Sequence, residues 1–109
     1  MKLVMAIVQD KDSNRLANAF IDANIRATRL PSTGGFLKAG NSTFMIGIEE
    51  VRVPEALEVI KKTCQSRKQY LSSSMSLDVS MDGRVPYPVE VEVGGATVFV
   101  LPIDGFYQY

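Results

Sequence analysis

Apolar residues recur along this chain with two periods. Residues 2–9, KLVMAIVQ, form a dense aliphatic run whose length and β-branched members predict a strand. Val4, Ala6 and Val8 fall on one side of it and Leu3, Met5 and Ile7 on the other, so both faces expect cover. Leu16, Ala19, Phe20 and Ala23 then return at helical spacing, predicting an amphipathic helix over 13–23 with Asp12 or Ser13 as its cap. Residues 25–30 read as a short strand stopped by Pro31, and 42–49 as another, with Phe44, Ile46 and Ile48 on one face. Val53-Pro54-Glu55 opens a second helix, which the stripe Ala56, Leu57, Ile60 and Cys64 carries to about 65. Residues 66–88 lose all periodicity and predict a long mobile loop. Residues 89–93 and 96–103 alternate as strands around Gly94-Gly95, a hairpin turn signal.

The order strand, helix, strand, strand, helix, strand predicts an α+β domain of ferredoxin-like βαββαβ type. Its antiparallel sheet carries both helices on one face, with a β-hairpin arm added before the last strand. The other face of the first strand is apolar too, and no remaining stretch is large enough to cover it. Subunit association is the simplest cover.

The chain of 109 residues suits one domain, 1–109, with a loop at 31–41 and the longer one at 66–88. Lysine plus arginine equals aspartate plus glutamate at twelve each, which disfavours a non-specific DNA or RNA binder. No apolar run approaches the roughly 20 residues of a membrane span, and the N-terminus is too soon acidic for a signal peptide. Cys64 is alone, so no internal disulfide forms, and a cytoplasmic protein is expected. At its helical position Cys64 reads as a small buried hydrophobe. Histidine is absent, which removes the commonest general base and the commonest metal ligand. Neither a nucleophile–base set nor a metal cluster is visible, so neither catalysis nor a metal is expected. Glu90 and Glu92 alternate with valines as a solvated strand face would. GGFLKAGN lacks the spacing of a phosphate-binding Walker loop.

The chemistry that remains lies between Asn24 and Gly47. Asn24, Arg26 and Thr28 alternate, so on a strand they would present an amide, a guanidinium and a hydroxyl to one side. The adjoining loop places Phe36 and Leu37 after Gly34-Gly35, with Asn41 at its exit. A guanidinium forks onto phosphate oxygens, and an aromatic ring on a loop stacks a base. Gly47 inside a strand marks the close approach of another group, and with Gly35 and Leu37 it offers backbone to a base edge. A phosphate bearing a purine suits the set.

Three segments carry a resemblance: 24–30 (NIRATRL), 33–43 (TGGFLKAGNST) and the tail 105–109 (GFYQY). The chain resembles, over its whole length, the PII-like cyclic di-AMP receptor proteins of Gram-positive bacteria. The resemblance implies a homotrimer that binds one cyclic di-AMP at each subunit interface, without catalysis or a cofactor. It implies that Arg26, Thr28 and Asn41 meet ribose, phosphate or base edges and that Phe36 and Leu37 sandwich an adenine. Gly35 and Gly47 would give backbone contacts, Asn24 would serve the base edge, Phe99 would form an apolar wall and Gln108 would come from the tail. It also implies a signalling role, with the loops changing conformation for an unidentified partner protein. Two alternatives share the topology. A nitrogen-regulatory PII protein binding ATP and 2-oxoglutarate would need a long loop after the second strand, where 31–41 is short. An acylphosphatase would need a glycine-rich turn after the first strand, where Gln9-Asp10-Lys11-Asp12 stands.

Overall fold

The computed structural model describes residues 1–31, 40–71 and 89–109. Among them the chain forms β1 (Lys2–Gln9), α1 (Asp10–Asp22), β2 (Thr28–Pro31), β3 (Asn41–Ile48), a single 3-10 turn (Glu50–Arg52), α2 (Val53–Cys64), β4 (Arg67–Leu71), β5 (Val89–Val93) and β6 (Ala96–Pro102). One sheet has the order β2-β3-β1-β6 and the other pairs β4 with β5, all pairings being antiparallel. This is the expected split arrangement with an arm before the last strand.

The core lies between the helices and one face of the four-stranded sheet. Val4, Ala6 and Val8 of β1, with Phe44, Ile46 and Ile48 of β3, are buried beneath Leu16 and Phe20 of α1 and Ala56, Ile60 and Cys64 of α2. The rings of Phe20 and Phe44 meet edge to face at 5.8 Å, an arrangement the ring quadrupole favours.

Three local expectations are corrected. The first helix starts at Asp10, not at 13, and neither Asp12 nor Ser13 caps it. Both lie buried within the helix: Asp12 accepts from Arg15 and Arg67, and Ser13 accepts from Arg29. Gln9 takes the cap position without a side-chain cap bond, and the exposed Asp10 N–H donates to the Gly40 carbonyl at 2.8 Å.

The second strand starts at Thr28 rather than 25. Asn24 sits in the left-handed region at φ 56°, where an asparagine is tolerated, and ends α1. Its N–H donates to Ile21 O and that of Ile25 donates to Phe20 O, the paired bonds of a helix terminus, while Ile25 is buried in the same cluster as Phe20. Asn24 and Arg26 are therefore connection residues, and they do not alternate with Thr28 along a strand.

Finally, 67–71 is a strand and not loop. It pairs with Val89–Val93 in the register Arg67↔Val93 to Leu71↔Val89, so Gly94-Gly95 is not the turn of a β5–β6 hairpin. These glycines take φ of 85° and 91° and redirect the chain from the arm into β6. The remainder of the expected loop, 72–88, and residues 32–39 of the first loop lie outside the described residues.

Candidate functional site

β3 organises the site because its outward residues are spaced along the face away from the helices. Asn41, Thr43, Met45 and Gly47 share that face, and the register aligns them with neighbouring strands. Thr28 stands opposite Met45, Met45 opposite Met5, and Met5 opposite Phe99, giving one continuous row across the sheet. A second row runs Gly47, Leu3, Leu101. Among the described residues this face is open around Phe99, 51 % exposed, and Leu101, 41 % exposed. Thr43 is 1 % exposed, and its Oγ1 has no hydrogen-bond partner among the described residues.

At the edge of this face, a cavity of about 230 Å3 is lined by Asn24, Ile25, Arg26, Gly47, Ile48, Glu49, Arg52 and Met1. It brings together three of the expected residues, Asn24, Arg26 and Gly47, although the first two reach it from a helix terminus and not from a strand. Arg26 is exposed and makes no hydrogen bond or ion pair among the described residues, which leaves its guanidinium available. Asn41 is placed elsewhere. It begins β3 opposite Gln9, six positions from Gly47, or about 20 Å along an extended strand. Thr28 and Phe99 sit between these ends on the open face. Gly35, Phe36 and Leu37 lie outside the described residues.

Two residues that sequence reasoning missed bear on the cavity, Arg52 by lining it and Phe106 by packing against Gly47. Arg52 donates from Nη2 to Ala23 O at 3.2 Å and from Nη1 to Asn24 O at 3.3 Å, so it holds the carbonyls at the end of α1. A cation there also complements the negative end of the helix dipole. Glu55 steers the guanidinium through Nε and Nη2, both at 3.2 Å. That bond holds the Glu55 carboxyl below its ordinary range and raises the guanidinium of Arg52 above its own. The second residue is Phe106. A Cβ on Gly47 would lie 3.2 Å from Phe106 Cε2, so the glycine admits the ring of the C-terminal tail. The strand glycine had signalled a close approach without identifying what approaches. Gln108, two residues further along this tail, is exposed.

The described residues offer no group of three or more metal-ligating side chains, and no described helix is long and apolar enough to cross a membrane. The thiol of Cys64 is pushed up to about 11, first by burial and then by the charge of Asp12, which makes it a poor nucleophile.

The fold and the cavity, with a guanidinium unpaired among the described residues, define a small α+β domain suited to an anionic ligand. The cyclic-di-AMP receptor family matches the chain over residues 1–109, and the chain belongs to that family. Among solved structures, it is similar to a functionally unknown protein from Pediococcus pentosaceus, with 54% identity and a TM-score of 0.78, over 99% of this chain and 96% of that one.

Proposed function

We propose that this protein is a cytoplasmic, non-catalytic, homotrimeric receptor that binds cyclic di-AMP between subunits and signals to a partner protein. The observation that carries the reading is the exposed sheet face, whose row of Leu101, Leu3 and Gly47 ends at the cavity that Gly47 lines together with Arg26, a guanidinium without a hydrogen bond or ion pair among the described residues. Family membership supplies the identity of the ligand. A neighbouring subunit is the simplest cover for the face, because closed symmetric assemblies are the common kind.

The spacing along β3 supports a shared site. Asn41 and Gly47 are about 20 Å apart on one subunit, so one dinucleotide touching both draws them from two subunits. In this reading the Arg26 fork meets phosphate, Thr28 and Asn41 meet ribose or base edges, and Asn24 and the Gly47 backbone read an adenine edge. Phe36 and Leu37 sandwich an adenine, Gly35 adds a backbone contact, Phe99 forms the wall and Gln108 closes from the tail. No further cofactor takes part. The segments 31–41 and 66–88 change conformation with ligand, and the partner reads that change.

A thermal-shift panel of cyclic di-AMP, ATP with 2-oxoglutarate and cyclic di-GMP tests this reading, since a ligand that binds only the folded chain raises Tm. Cyclic di-AMP alone is expected to do so. A shift with ATP and none with cyclic di-AMP would replace it with a nitrogen-regulatory reading.

A further inference from the structure

Gln9 occupies an unusual post. It caps α1, a position where serine, threonine, aspartate or asparagine usually accepts from the helix backbone, yet its side chain makes no such bond. Its Oε1 instead accepts from the N–H of Gly94 at 2.8 Å, across 85 residues of sequence. Gly94 is the point at which the arm returns to the sheet. It has φ 85°, and a Cβ there would fall 2.6 Å from Arg67 Nη1 and 2.7 Å from Gln65 O, so it is wedged against the first residue of β4. Arg67 is anchored in turn, with Nη2 2.8 Å from Asp12 Oδ1, on the turn that Gln9 opens.

The same turn also holds the start of β3. Gln9 faces Asn41 in the β1–β3 ladder. Both neighbours of Asn41 are held by Asp10: its N–H donates to Gly40 O at 2.8 Å, and its Oδ1 accepts from Ser42 Oγ at 2.6 Å. A displacement of Asn41 therefore moves the residues that carry the root of the arm. We infer that Gln9 is a positioning residue that couples Asn41, and through it the bound nucleotide, to the β4–β5 arm of the same subunit. The nucleotide part rests on the proposed function; the link from Asn41 to the arm rests on geometry alone.

Amide hydrogen exchange over 67–71 and 89–93 reads the arm directly, with the amides of β1 and β3 as the internal reference for global stability. In the wild-type chain, saturating cyclic di-AMP should alter arm exchange at least threefold. Gln9→Ala removes the acceptor and should reduce that response at least twofold at saturating ligand, the Asp12–Arg67 contact being left in place. Gln9→Glu keeps an acceptor oxygen and should restore it. An arm that responds equally in Gln9→Ala, or that ignores ligand in a wild-type chain that binds it, overturns the coupling. If the wild-type chain binds no cyclic di-AMP, the ligand reading fails, and Ser42→Ala in the absence of ligand decides the link. Loss of the Ser42 hydroxyl's bond to Asp10 should speed arm exchange at least threefold with the reference amides unchanged, and unaltered arm exchange overturns the link.

Discussion

Gly47 and Phe106 are complementary: the strand leaves out a side chain where the tail lays a ring, and an added Cβ would meet that ring at 3.2 Å. The contact is tight, but Phe106 is 55 % exposed and free to give way. Gly47→Ala should therefore cost little stability, below about 1 kcal/mol, while moving the tail that carries Gln108. The expected outcome is a near-unchanged urea midpoint with cyclic di-AMP affinity lowered at least threefold by calorimetry. Unchanged affinity would detach the tail from the binding site.

Arg26 and Phe36 carry the charged and stacking parts of the proposed site. Arg26→Ala and Phe36→Ala should each weaken cyclic di-AMP binding at least tenfold, about 1.4 kcal/mol, in isothermal titration. Retained affinity in either variant would show that the nucleotide sits elsewhere.

Leu101 lies on the open face, in the row with Leu3 and Gly47. Leu101→Asp places a charge where a second subunit is proposed to pack, and an unpaired charge in an apolar interface is costly. Light scattering should report a trimer for the wild type and a monomer for the variant. A wild-type monomer would remove the shared site.

Asp12 is 1 % exposed and serves two arginines, Arg15 at 2.9 Å and Arg67 at 2.8 Å. Both arginines are partly hydrated, so losing the carboxylate strands no buried cation. Asp12→Ala should cost about 2 kcal/mol, less than the roughly 3–5 kcal/mol of a fully buried pair. Urea denaturation measures the difference, and a change under about 0.5 kcal/mol would show the network to be dispensable.

Cys64 should resist thiol reagents in the native protein at pH 8 and react once the chain unfolds, because its thiol holds its proton up to about 11. The folded value lies above the ordinary value of 9.0, so the protonated thiol favours the fold. That contribution is fully present below the ordinary value and is lost as pH rises toward about 11. Cys64→Ala should flatten this alkaline loss in stability-against-pH curves.

The βαββαβ order was legible because its signals are local. The aliphatic run of β1, the alternation of Phe44, Ile46 and Ile48, and the Val53-Pro54-Glu55 start of α2 each state their element directly. What was misread depends on distant partners. Asp10 to Asp12 did not read as helix because the residue before them, Gln9, spends its side chain on Gly94 and gives its own helix no cap bond. Asn24 and Arg26 mimicked a strand by alternating with apolar residues, although the left-handed backbone at Asn24 ends a helix. β4 was hidden because Arg67-Lys68-Gln69 carries no apolar alternation and its valine-rich partner follows only at residue 89. At the site, Arg26 and Gly47 announced themselves by residue type. Arg52 did not, since its carbonyl partners lie 28 and 29 residues earlier in the chain.

Among the described residues the β4–β5 ribbon forms its own sheet, joined to the larger one through Gly94 and Gly95 and by side chains at its root. Its far end is thus a module. It can be lengthened or resequenced without shifting the register of β1, β3 or β6. If the proposed partner meets the ribbon, that surface is free to change with the interlocutor while the sheet beside the cavity stays constant.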